Sequence, residues 1–217
     1  MMTNRKVFAR FYTDTTTGIT YRLNTILQFG NSWKIIGSAI LLNPGSATSS
    51  EQPCEEDLSQ LNILTGEKDG WKIVNSDPTI RSWLPKVFNG YFANKYRELN
   101  GVILLFNLFN IKEANSSKAQ EIFMHANSEY LYTSKSDIDL INKSPIVFIG
   151  WGRLSPELTF HAKHLFSQLD KKIISHYNTD FEKNIFYHPR ALQLGYKRWK
   201  NAKNNISKFE NALGSMK

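Results

Sequence analysis

The stretch GVILLFN, residues 101–107, decides the fold. Five consecutive apolar side chains, Val102 to Phe106, leave the segment no polar face. A run of that length between glycine and asparagine is a strand buried on both sides, and such strands belong to sheets covered by helices above and below. Two further runs read the same way. Ile36 to Leu42 is stopped by Asn43-Pro44-Gly45-Ser46, where proline and glycine cannot continue a ladder. Pro145 to Ile149 is stopped by Gly150-Trp151-Gly152.

Helical segments separate these runs. A short helix is expected around Glu55 to Ile63 within an acidic loop, and another follows Ser76-Asp77-Pro78-Thr79, where Ser76 or Asp77 caps and proline suits the first turn. Ile80, Trp83, Leu84 and Val87 fall at helical spacing, and Pro85 should bend or end that helix unless its first turn begins later. A helical stretch is expected around Ser117 to Tyr132. Ser155-Pro156-Glu157 opens one that runs through Leu165, Phe166 and Leu169. Trp199, Ala202, Ile206, Phe209 and Leu213 mark the last helix, within 194–213. At the start, VFARFYTD and ITYRL flank TTTG as a hairpin over 7–24, expected at a sheet edge. Short strands are expected at Lys172 to Ile174 and at Asn184 to Tyr187. Alternation of this kind implies one three-layer α/β/α domain with a mainly parallel central sheet.

Composition sets the outer limits. Hydrophobic residues make up 41% of the 217 and charged residues 21%, so the chain reads as globular. Neither an apolar leader nor a membrane span is visible, and Cys54 is the only cysteine, so a cytoplasmic protein is expected. The formal charge is +8, and most of it falls in residues 171–217. A basic patch there suits a polyanion such as DNA or another nucleic acid, or serves solubility as a solvated helix. The Walker loop, G-x-G-x-x-G, H-E-x-x-H and G-x-S-x-G are all absent.

In a sheet of this type, ligands bind in the crevice outside the carboxyl ends of the strands. Asn43, Asn107, the Gly150-Trp151-Gly152 turn and His188 all fall there. The amide of Asn43 either stabilises its turn or orients a water or ligand. It is too weak a base to do more than position. Asn107 either caps its turn or reads a base edge with one acceptor and two donors. Asn110 is a weaker candidate of the same kind. Trp151 packs the core or a pocket wall or stacks on a base, and His188, fixed by Pro189, either is structural or donates a hydrogen bond or transfers a proton. Asp77 is explained by capping and has catalysis as its alternative. His161 and His164 lack further metal ligands around them, so neither a metal nor a cofactor is expected.

LLNPGSAT, SDPTIRSW, LFNLFN, IGWG and YHP together resemble the uncharacterised family known as domain of unknown function 1643, over about residues 20–195. More remotely, their order is similar to the uracil-DNA glycosylase superfamily. That resemblance implies an α/β/α fold with a four-stranded parallel sheet and hydrolysis of an N-glycosidic bond. It implies that Asn43, with Pro44 and Gly45, helps position the attacking water, that Asn107 reads the base, and that His188 is catalytic. Arg190 stands where the superfamily has serine, and the second proline of that loop is absent. Phosphate contact would then fall to Arg190, Lys197, Arg198 and Lys200. A non-catalytic nucleotide or nucleic-acid binding module, or another small-molecule hydrolase, would use the same crevice.

Overall fold

A computed structural model describes residues 5–174, 177, 180–194 and 200–215. Its centre is a seven-stranded sheet: β1 (Arg5–Thr13), β2 (Thr20–Phe29), β3 (Ile35–Leu41), β4 (Thr48–Ser49), β5 (Trp71–Asn75), β6 (Gly101–Asn107) and β7 (Val147–Ile149). The spatial order is β4-β5-β1-β2-β6-β3-β7. Only β6, β3 and β7 run parallel, and every other pairing is antiparallel. The sheet is therefore mixed, with a parallel half and an antiparallel half, where a mainly parallel one was expected.

Strand alternation builds the two cores. Val102, Leu104 and Phe106 of β6 face one apolar cluster, and Ile103 and Leu105 face the other. The first cluster is closed by α1 (Glu55–Thr65), α3 (Ser116–His125), α4 (Lys135–Asn142) and α5 (Pro156–Gln168) through Leu61, Phe123, Ile141 and Phe166. The second is closed by α2 (Leu84–Phe88) and α6 (Lys200–Ser215) through Leu84, Phe88, Ile206 and Phe209. The result is a helix, sheet, helix sandwich whose strands are apolar on both faces because both faces are covered.

Local chemistry sets the helix ends. Ser134 and Asp137 form a reciprocal capping box on α4, Asn115 caps α3, and Gly66 ends α1 in the left-handed conformation. Asp77 accepts from the backbone N–H of Thr79 and Ile80. Pro85 lies in the first turn of α2, which begins at Leu84, so the later start of the two alternatives holds. A π-helical turn at Thr79–Trp83 precedes α2, and the Leu84 N–H reaches back to the Thr79 carbonyl. Proline has no N–H for the Arg81 carbonyl, which accepts instead from Arg5 Nη1 at 2.6 Å.

Several expectations fail for identifiable reasons. The hairpin over 7–24 exists but is internal, since β5 pairs on one side of it and β6 on the other. Helix α3 stops at His125, and a separate α4 follows. Residues 172–174 form a turn whose Ile173 carbonyl accepts from Val147, and 184–187 have no regular secondary structure, with the Phe186 carbonyl accepting from Gly152. Ile173, Ile174 and Phe186 serve packing, and Phe186 lies 4.8 Å from Trp151 and 5.7 Å from Phe166, centroid to centroid. Among the described residues no helix is long and apolar enough to cross a membrane.

Candidate nucleobase-binding cleft

The carboxyl ends of the parallel strands open into a cleft of about 570 Å³. Leu41, Leu42 and Asn43 enter it from β3, Leu105 and Asn107 from β6, and Trp151 from the turn after β7. Asp77 to Ile80 line it from the turn that precedes α2, and His188 and Arg190 from the loop before α6. Asn43, Asn107, Trp151 and His188, far apart in the chain, thus share one cavity with Pro44, Gly45, Ser46 and Asp77.

Asn107 is 1% exposed, and among the described residues neither its Oδ1 nor its Nδ2 has a hydrogen-bond partner. Its backbone carbonyl accepts from the Thr133 hydroxyl at 2.5 Å, which holds the strand end in place. A buried amide with no partner costs on the order of 1–3 kcal/mol for each unmet group. A ligand presenting a donor beside an acceptor would relieve that cost.

Asn43 is oriented differently. Its Nδ2 donates to the Glu113 carbonyl at 2.7 Å, which identifies the amide nitrogen and leaves Oδ1 to accept. Gly45 adopts a positive φ of 72°, and a Cβ there would stand 3.1 Å from Asp77 Oδ2. The tight Pro44-Gly45 turn is therefore what lets the Asp77 carboxylate lie against this loop. Because Oδ1 of Asp77 is held by two backbone N–H groups, Oδ2 is the oxygen left for the cleft.

His188 Nδ1 accepts from the Arg190 backbone N–H at 3.1 Å. That bond requires a lone pair on Nδ1 and places the ring proton on Nε2. Burial lowers the His188 pKa to about 4; Asp77 opposes the shift and Arg190 adds to it. Near neutral pH the ring is uncharged and donates from Nε2.

Arg22 was not anticipated. It is 1% exposed and lines the cleft, with Nε and Nη1 buried and without a partner among the described residues. Desolvation lowers its pKa to about 10, partly offset by Asp77, so it remains a cation. A β-bulge aims it. Between the Ala9↔Thr25 and Phe11↔Arg22 pairs, Arg10 alone on β1 faces both Leu23 and Asn24 on β2. Tyr21 and Leu23 pack with the first core, and Asn24 reaches Asp137 on the same side. Arg22 is turned to the face of Leu105 and Asn107. Arg153, exposed just beyond the Gly150-Trp151-Gly152 turn, also lines the cleft and was likewise missed.

Other candidates have structural roles or lie beside the cavity. Asn110 is buried outside the cleft, donating from Nδ2 to the carbonyls of Tyr130 and Tyr132 at 3.0 and 3.1 Å, so it ties two loops together. Gly150 and Gly152 shape the turn: their N–H groups donate to Ile40 and Phe186, and Gly152 has φ 77°. Pro189 is buried and starts a 3₁₀ turn. Trp151, 2% exposed, is a wall packed on Phe186. Arg190 is exposed at the cleft, whereas Lys197, Arg198 and the side chain of Lys200 lie outside the described residues. Among the described residues no cluster of three metal-ligating side chains occurs. No family model, curated protein or solved structure matches the chain.

Proposed function

We propose that the cleft binds a nucleobase and that the protein hydrolyses the N-glycosidic bond of a base exposed in, or flipped from, a nucleic acid. The observation that carries this reading is the buried, unpartnered amide of Asn107 facing a cavity that also holds a neutral histidine donor. A base edge offers the donor and acceptor that such an amide lacks, and a mismatched ligand would leave buried polar groups unpaired.

In this scheme Asn107 reads the base. His188 donates its Nε2–H to a base oxygen as the bond to the sugar breaks and the electron pair passes to the base. A water held by Asn43 Oδ1 and Asp77 Oδ2 adds to the electron-deficient sugar carbon. Its proton goes to the Asp77 carboxylate and from there to solvent, and the departing base takes a proton from solvent. One water is consumed, and a neutral base and an abasic sugar are released. Arg153 and Arg190 at the cleft meet backbone phosphates. The base must leave its stack to reach Asn107.

The test is a product assay on single-stranded and duplex oligonucleotides carrying several modified bases, scoring free base and abasic sites together. Wild-type protein is expected to yield both, and folded Asn43→Ala and His188→Ala proteins to yield neither. Tight binding without product across the panel would replace hydrolysis with non-catalytic recognition.

A further inference from the structure

We infer that the Arg22 end of the cleft is an anion subsite, at which the ligand is held as an anionic heterocycle with Arg22 as its counter-ion and Asn107 reading the adjacent amide edge. The inference deepens the proposed nucleobase reading and rests on it for the ring, but the charge argument stands on Arg22 itself.

A guanidinium that is 1% exposed, with no acceptor on Nε or Nη1 among the described residues and only a partial offset from Asp77, is an incompletely compensated buried charge, which proteins rarely retain without a partner. The nearest acid acting on it is Asp77, whose Oδ1 is already committed to Thr79 and Ile80 and which makes no hydrogen bond to Arg22. The β2 bulge turns this side chain toward the cavity, away from the core layer where its neighbours pack. Charges lining the cleft are Arg22, Arg153 and Arg190 against Asp77, with His188 neutral, so the cavity as a whole favours a negative ligand. Arg153 and Arg190 are exposed and suited to phosphate, whereas Arg22 lies where water is excluded and a charge-assisted bond is strongest.

Two sources supply such an anion: a base that binds after losing its ring proton, and a base that carries an acidic substituent. Calorimetric titration with uracil and with 6-carboxyuracil separates them. The first predicts uracil binding with proton release, seen as a dependence of the heat on buffer ionisation. The second predicts binding of 6-carboxyuracil alone.

Arg22→Met is the decisive variant. It removes the charge while keeping much of the volume, so it should weaken binding of the preferred probe by about tenfold or more. The same change should raise the melting temperature of the ligand-free protein by a few degrees, because an unpaired buried charge is exchanged for an apolar side chain. Arg22→Lys retains a cation and should bind more tightly than Arg22→Met. Equal affinity of wild-type and Arg22→Met proteins, or no binding of either probe, overturns the subsite. A melting temperature that falls in Arg22→Met assigns Arg22 a structural role and also overturns it. Excision activity is not part of this readout: anion binding without base release leaves the subsite standing and removes the glycosidase reading.

Discussion

The Arg190 backbone N–H points at His188 Nδ1 from 3.1 Å and thereby places the ring proton on Nε2. Since burial also holds the ring neutral, His188 carries a single ring proton and no net charge near neutral pH.

A first prediction follows from that titration. Base release is expected to stay level from neutral pH down to about 5 and to fall with a midpoint near 4, where the ring gains its second proton. Stability has a different window. The folded-state pKa lies below the ordinary 6.5, so the unfolded chain binds the proton first as the solution is acidified. Stability is unaffected above pH 6.5 and is lost as pH falls from 6.5 toward 4, by up to about 3 kcal/mol. Nitrogen-detected NMR of the ring gives both the tautomer and the midpoint, and a histidine titrating near 6.5 with its proton on Nδ1 would contradict the assignment.

Asp77 has two duties that a single substitution separates. Asparagine retains an oxygen to cap Thr79 and Ile80 but cannot take a proton from water. Asp77→Asn is expected to lose less than about 1 kcal/mol of stability while base release falls by roughly 10²–10⁴-fold. Chemical denaturation and single-turnover kinetics measure the two effects. Loss of stability with activity retained would make Asp77 a cap alone.

The sequence disclosed the parallel half of the sheet because β3, β6 and β7 are buried on both faces, and burial of that kind writes itself as unbroken apolar runs such as Val102 to Phe106. It disclosed the cleft for the same reason, since a strand that stops at Asn43 or Asn107 also marks where ligands can reach the sheet. Less of the antiparallel half was legible. The strand Trp71–Asn75 is short and follows an acidic loop, and β1 shows nothing of whether it ends a sheet or continues one. Arg22 was invisible for a sharper reason. Its burial and direction depend on two residues, Leu23 and Asn24, facing one on β1, and period-two reading cannot see a bulge. Lys197, Arg198 and the side chain of Lys200 fall outside the described residues.

The Arg5 guanidinium serves the backbone carbonyl that Pro85 leaves without an intrahelical donor. Arg5→Ala is expected to cost about 1 kcal/mol. In a Pro85→Ala background the restored N–H competes for the same carbonyl, so the Arg5 contribution should shrink. A double-mutant cycle by denaturant unfolding reads the coupling, and additive effects would show that the two residues act independently.

Helix α6 is held through Phe209, whose ring stands 5.2 Å from both Phe88 and Phe148. Phe209→Ala is expected to destabilise the protein by roughly 3–5 kcal/mol. Increased amide exchange in α6 and in the neighbouring 3₁₀ turn at Tyr91–Ala93 should accompany it, because Glu210 accepts from Phe92 and Ala93 and docks the two together. A loss below about 1 kcal/mol would show that the second core closes without this ring.

The most direct measurement is mass-spectrometric counting of free base and abasic sites released from one oligonucleotide by excess enzyme, comparing wild-type protein with Asn107→Ala. The account predicts equal amounts of the two products from wild type, and a loss of roughly 10²-fold or more in rate for the variant. Free base appearing at the same rate from both proteins, or strand cleavage without free base, would contradict it.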